Sequence, residues 1–163
     1  LGPETGSRSP SVLLPVMNES NTAFAPRLAA RGQCESFQFG GESFEILLDG
    51  KDTGGLSILE VFVDPDFGPP LHVHTHEDEF FIIHEGEFEF IVGDTKVYAG
   101  PGDTLFAPRG IAHRFRNSGS QTMRFHLIVN GDNFLPFIRK WATAFPEGSA
   151  MMRALEEHDI ALA

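Results

Sequence analysis

The stretch Leu71-His72-Val73-His74-Thr75-His76-Glu77-Asp78-Glu79-Phe80-Phe81-Ile82-Ile83-His84-Glu85-Gly86 decides how this chain folds. Side chains alternate faces along a strand, so His72 and His74 point the same way and Val73 the other. The pair forms a two-pronged imidazole clamp. After a short acidic turn, Glu79 opens the next strand and can bring a carboxylate to the same spot, with Phe81 and Ile83 continuing along its face. Three candidate metal ligands thus arise from eight consecutive residues.

Outward from this stretch, residues 35–130 read as short β-like runs divided by turn residues, the spacing of an all-β barrel or sandwich. The turn signals include Gly40-Gly41, Asp49-Gly50, Thr53-Gly54-Gly55, Gly68-Pro69-Pro70, Gly93-Asp94, Gly100-Pro101-Gly102 and Ser118-Gly119. Residues 1–34 mix Pro, Gly, Ser, Asn and Ala with brief apolar stretches, the pattern of an extended N-terminal arm. Past Gly131 the period changes: Phe134, Phe137, Ile138 and Trp141 recur at helical spacing, with Asp132 or Asn133 able to cap the start. A second short helix is expected from about Ser149 to His158, placing Met151, Met152 and Leu155 for packing. Residues 131–163 are therefore expected as two short C-terminal helices packed on the barrel.

At 163 residues the chain suits one domain with one core, and needs no disulfide to hold it. It is 41% hydrophobic with 16 Phe against one Trp and one Tyr, so Phe should fill most of the interior. A net charge of −11 repels a phosphate backbone and an anionic lipid surface alike, which argues against nucleic acid and membrane as partners. Cys34 stands alone, excluding an intrachain disulfide, and a cytoplasmic setting is the expectation. The apolar run Val12-Leu13-Leu14-Pro15-Val16-Met17 is too short to span a bilayer. Strands such as Phe80–His84 carry apolar residues on both phases, which points to an outer face packed against helices or a second copy, with a homodimer expected.

The second informative stretch runs Gly102-Asp103-Thr104-Leu105-Phe106-Ala107-Pro108-Arg109-Gly110-Ile111-Ala112-His113-Arg114-Phe115-Arg116-Asn117. From His72 to Gly86 the chain reads H-x-H-x4-E-x6-G, and from Gly102 to Asn117 it reads G-x5-P-x-G-x2-H-x3-N. These resemble the two signature motifs of the cupin superfamily, whose fold is a double-stranded β-helix or jelly-roll barrel. One departure is the leading glycine of the first motif: Gly68, its nearest candidate, lies closer to the histidines than the family pattern places it. The glycines and Pro108 also have a local reason, since Gly86, Gly102 and Gly110 allow tight or positive-φ turns and Pro108 stiffens the turn that presents His113.

The resemblance implies that His72, His74, Glu79 and His113 bind one divalent transition metal, with Fe, Mn, Co, Ni, Cu and Zn all compatible with such a donor set. Four protein ligands leave coordination positions for water, substrate or dioxygen, as in catalytic rather than structural sites. Phe81, Ile83, Phe115, Phe125 and Leu127 are expected on the inward face near the ion, as an apolar substrate pocket. His76 pairs with His74 as another H-x-H, but Glu79 then follows too soon for the family spacing. His84, His126, Arg114 and Arg116 fall on outward phases, and Arg109 reads as a loop arginine.

The run from Gly40 through Asp52-Thr53-Gly54-Gly55 and Gly68-Pro69-Pro70-Leu71-His72-Val73-His74 to Asp78-Glu79-Phe80-Phe81, with the helices behind, is similar to the single-barrel quercetin-dioxygenase-like cupins. That resemblance implies a metal-dependent dioxygenase acting on a small enolic or aromatic substrate, with Glu79 both as ligand and as general base. A metal-dependent isomerase, decarboxylase or lyase, and a non-catalytic small-molecule binding or sensing module, are the alternatives.

Overall fold

Every second residue from Met123 to Val129 is buried, and the residues between them are not, which is the signature of a strand with one face on the core. The computed structural model describes residues 28–30, 32–131, 133–144, 153 and 155–163. Its elements in chain order are β1 (Glu35–Phe39), β2 (Glu42–Leu48), α1 (Gly50–Thr53), β3 (Leu56–Val63), β4 (His72–His74), β5 (Asp78–Glu85), β6 (Phe88–Val92), β7 (Thr95–Ala99), β8 (Thr104–Ala107), β9 (His113–Asn117), β10 (Met123–Asn130), α2 (Phe134–Ala144) and β11 (Ile160–Leu162). They form a jelly-roll of two antiparallel sheets. One is ordered β1-β2-β3-β10-β5-β8, the other β11-β4-β9-β6-β7.

Aromatic rings fill the space between the sheets. Phe81 is fully buried, with its ring centroid 4.9 Å from Phe90, 5.6 Å from Phe125, 5.8 Å from Phe115 and 6.5 Å from Phe88. Edge-to-face and tilted pairs of this kind add to the area they bury, and truncating such a ring costs roughly 3–5 kcal/mol. These rings form one continuous core.

Gly86 shows why a motif glycine is needed. Its φ is +91°, and a Cβ built there would lie 2.8 Å from the Cα of Met123 on the neighbouring strand β10. Neither the backbone angle nor the backbone contact can relax cheaply. Gly86→Ala is expected to lower stability by about 2–3 kcal/mol, seen as a fall in the thermal midpoint of roughly 4–12 °C.

The C-terminal part departs from the sequence expectation in one respect. Helix α2 forms, with the carbonyl of Asn133 accepting the first helical bond from Phe137 N–H, while the Asn133 side chain donates to Asp159 instead of capping. Helical backbone at 153 and 155–157 falls within the second expected helix, whose remainder, with Met151 and Met152, lies outside the described residues. Ile160–Leu162, however, is strand β11 and not part of a helical tail. It pairs antiparallel with β4, Ile160 opposite His74 and Leu162 opposite His72. The physical reason is tertiary: β4 presents an open edge with unpaired backbone groups, and pairing satisfies them. The turn read at Asp49-Gly50 is likewise built up, into the one-turn helix α1, where the Asp49 side chain accepts from the Lys51 N–H.

Arg139 ties α2 to the barrel, reaching Glu35 at the start of β1 and Asp49 before α1 at 2.6 Å each. Phe134, Leu135 and Ile138 face inward and are buried. The helix therefore covers one mouth of the barrel, the mouth at which β4 and the start of β5 end.

Candidate metal centre

His72 and His74 come from β4, Glu79 from β5 and His113 from the first position of β9. Backbone pairing sets His72 directly opposite His113, and the alternation along β4 and β5 turns His74 and Glu79 to the same interior. One ligand atom from each of the four side chains lies within 4.8 Å of all the others. Glu79 spans two of the rings, with Oε2 2.9 Å from His113 Nε2 and Oε1 3.5 Å from His74 Nε2.

The chain orients each ring from behind. His72 Nδ1 is 2.9 Å from the carbonyl of Pro70, and His113 Nδ1 is 2.9 Å from the carbonyl of Ile111. A carbonyl can only accept, so Nδ1 carries the hydrogen in both rings and, in the neutral form, Nε2 keeps a free lone pair toward the centre. His74 differs. Its Nδ1 looks toward the Glu77 carboxylate at 3.7 Å, and neither ring nitrogen has a hydrogen-bond partner among the described residues although both are buried. An orphaned buried polar atom costs about 1–3 kcal/mol. A divalent cation placed among the four donors would take the Nε2 lone pair, so the residues present fit a metal ion.

The charge states fit as well. Burial works against ionisation of Glu79, but His74, His113 and His72 together outweigh it and hold its carboxyl down at about 2. Burial is the main reason His72 falls to about 4, which leaves it neutral and available as a ligand at pH 7. Burial also disfavours the charged form of His113, yet the hydrogen bond to Glu79 and its charge prevail and raise it. Metals bind deprotonated ligands, so an ion would displace the proton that Glu79 helps to keep on His113.

Glu77 is a residue that the sequence reading passed over as part of an acidic turn. It is 1% exposed, and its Oε1 accepts from the backbone N–H of Asn133 at 3.2 Å, just before α2. A Cβ on Gly131 would sit 2.6 Å from its Cγ, so the chain leaves room for this side chain. Carboxylates behind ligating imidazoles fix the ring and raise its basicity. Glu77→Ala is expected to weaken binding of Zn(II) or Ni(II) by about 10- to 100-fold in calorimetric titration. An unchanged affinity would show that Glu77 serves only the start of α2.

The other candidates lie elsewhere. The His76 side chain is 60% exposed and lies 3.7 Å from Asp159. Arg109 forks onto Asp78 at 2.6 and 3.1 Å, Arg116 meets Asp66 at 2.7 Å, and Arg114 meets Glu89 at 3.6 Å. His84 and His126 pair with each other at 3.0 Å on the outer side of β5 and β10.

A cavity of about 290 Å³ opens from the tetrad toward α2. Phe115, Phe125 and Leu127 line it together with His72, His74 and Glu79. Phe81 and Ile83, expected there, do not: they sit one and two inward positions beyond Glu79 on β5, where the surrounding Phe rings close the barrel. The walls that replace them come from α2, with Phe134, Phe137, Ile138 and Trp141, and from Phe39, Phe44 and Phe67. Their helical spacing was legible, but which cavity they would face was not.

A family model described as Cupin domain matches residues 59–129. Quercetin 2,3-dioxygenase of Bacillus subtilis (strain 168) is 26% identical over 109 residues, which is 66% of this chain and 32% of that protein. Protein SchB of Streptomyces halstedii is 36% identical over 58 residues, 34% of this chain and 42% of that protein. The chain thus spans less than half the length of either relative. Among solved structures, that of the polyketide cyclase RemF from Streptomyces resistomycificus has a TM-score of 0.56 at 25% identity, covering 64% of this chain and 79% of that one.

Proposed function

The chain belongs to the cupin superfamily, and on that premise we propose that it binds one divalent transition-metal ion on His72, His74, Glu79 and His113 and acts as a metal-dependent dioxygenase on a small enolic or aromatic substrate. The observation that carries the reading is the convergence of three imidazoles and one carboxylate within 4.8 Å at the end of an apolar cavity. The bound ion would supply Lewis acidity toward a chelating oxygen substrate and coordination positions beside it.

The chain's own residues do the rest. Pro70 and Ile111 hold His72 and His113 in the ligating tautomer, and Phe115, Phe125, Leu127 and Phe134 exclude water from the substrate. Glu79 is ionised and can accept a proton at Oε1 or Oε2. A carboxylate held by a cation is a weak base, so it suits an acidic hydroxyl, an enol or phenol, and not an alkyl alcohol. The similarity to quercetin 2,3-dioxygenase over 109 residues supports the oxygenase reading.

A second reading, a metal-dependent lyase, isomerase or cyclase, draws on the likeness to the polyketide cyclase at 25% identity. Elemental analysis of protein purified without chelators, followed by oxygen-uptake assays over flavonols, diketones and catechols with each metal restored, separates the two. Oxygen consumption with any pair supports the oxygenase. Product formed under anaerobic conditions, with no uptake in air, transfers the assignment to the second reading.

The proposed assembly is a homodimer through the outer face of the β1-β2-β3-β10-β5-β8 sheet. Phe80 and Phe106 stack there with ring centroids 4.7 Å apart while 37% and 50% exposed, and exposed apolar pairs of this kind mark contact surfaces. Light scattering should give a mass near twice the 17.9 kDa of one chain, and Phe106→Lys should return it to one. No helix among the described residues is long and apolar enough to cross a membrane.

A further inference from the structure

Inward positions on β2 are Glu42, Phe44 and Ile46, and the first of them breaks the apolar rule that the other two obey. Glu42 lines the same cavity as His72, His74 and Glu79. It does so from another level of the barrel. Glu42 stands opposite Val63, which stands opposite Met123, whereas Glu79 stands opposite Val129, so the two carboxyls are aligned with positions six residues apart on β10. The space between is bounded by Phe44, Val61, Phe115, Phe125 and Leu127.

Glu42 Oε1 is buried with no hydrogen-bond partner among the described residues. Burial pushes its carboxyl up to about 7, and no neighbouring cation opposes that rise. A Leu at this position would satisfy the barrel at lower cost, since a carboxyl with a buried, unpartnered oxygen is destabilising in either protonation state. Structure alone does not account for it, whereas a ligand that brings its own polar atom into the cavity does.

We propose that Glu42 is the distal recognition residue of the cavity, hydrogen-bonding a hydroxyl or carbonyl oxygen at one end of a rigid apolar ligand whose other end chelates the ion at the tetrad. This rests on the metal-binding reading above and narrows it. The ligand class becomes a rigid, largely apolar molecule carrying a chelating oxygen pair at one end and a separate oxygen at the other. A ligand with the chelating pair alone would leave Glu42 orphaned and bind less well.

The test compares two probes on the Zn(II)-loaded protein: 3-hydroxyflavone, which offers the chelating pair, and 3,4′-dihydroxyflavone, which adds one hydroxyl at the far end. Elemental analysis comes first. The parent protein, Glu42→Gln and Glu42→Leu should hold equal zinc, and a parent that holds none defeats the metal reading before any flavone is added. In fluorescence titration the parent should prefer the dihydroxy compound by roughly tenfold. Glu42→Gln, which keeps the shape and can still donate and accept, should retain the preference, and Glu42→Leu should bring the two affinities within about twofold of each other. With zinc retained, a preference that survives in Glu42→Leu, a parent that shows none, or a parent that binds neither probe overturns the assignment of Glu42.

Discussion

Glu79→Gln protein, purified beside the parent without chelators, is expected to retain less than about a tenth of the parent's metal. The substitution keeps the size of the side chain and removes its charge. Three consequences follow from the geometry. The ion loses an anionic ligand, and the two contacts at 2.9 and 3.5 Å to His113 and His74 lose their charge. The amide can also turn its NH₂ toward one of these rings, where it competes for the Nε2 lone pair that the ion needs. Residues that only orient a ligand cost 10- to 100-fold in affinity, so loss of a ligand should reach or exceed the upper end of that range. The measurement is metal content per chain by elemental analysis, with circular dichroism to confirm the fold. Because the jelly-roll core of Phe81, Phe88, Phe90 and Phe125 lies deeper in the barrel than Glu79, the spectrum should be unchanged. Full metal content in the variant would remove Glu79 from the ligand set.

The second large effect is on stability. A ligand that binds only the folded chain adds RT ln(1 + [L]/Kd), about 4 kcal/mol when free metal is roughly 1,000 times its Kd. For a chain of 163 residues that corresponds to a gap of roughly 8–16 °C between metal-loaded and chelator-treated protein. The gap should depend on pH in a definite direction. His113 is held above its ordinary value by Glu79, so this group's contribution to the metal-free fold is fully present below about pH 6.5 and is lost as pH rises through the raised folded value. The ion must displace that proton, so its advantage grows with pH. His72 has the opposite sign. Its folded value, near 4, lies below the ordinary 6.5, so its contribution is present above about pH 6.5 and is lost as pH falls toward 4. Thermal scans at pH 7.5 and pH 5.5, with and without chelator, should show the metal-dependent gap narrowing at the lower pH. A gap of equal size at both would mean that the ion is not held by these imidazoles.

How much of this was legible in the residues differs from element to element. The strands were, because a one-sided core imposes period two on each of them: Met123, Phe125, Leu127 and Val129 could face nothing but the interior. Helix α2 was legible by the same logic at helical period. The convergence of His72, His74 and Glu79 could be argued from alternation across one turn, whereas His113, 34 residues beyond Glu79, entered only through a recurring motif. Glu77 and Glu42 carried a weaker signal. Each is one acidic residue among many in the sequence; what distinguishes them is one buried carboxylate oxygen, Oε2 of Glu77 and Oε1 of Glu42, with no hydrogen-bond partner among the described residues, which is a property of the surroundings.

Local pattern, then, set the β class of the chain, the inward phase of its main strands and the convergence of His72, His74 and Glu79, because alternation and turn chemistry act over a few residues at a time, while His113 came from the resemblance of the second motif. Closure was decided by the tertiary structure. Only when the sheets packed did Ile160–Leu162 become the strand that covers β4, Phe81 and Ile83 withdraw into the core while Phe134 and Phe137 took the cavity wall, and Glu42 Oε1 end up buried with no hydrogen-bond partner among the described residues. Burial and partnership depend on which distant segments meet, and no short-range pattern encodes that meeting.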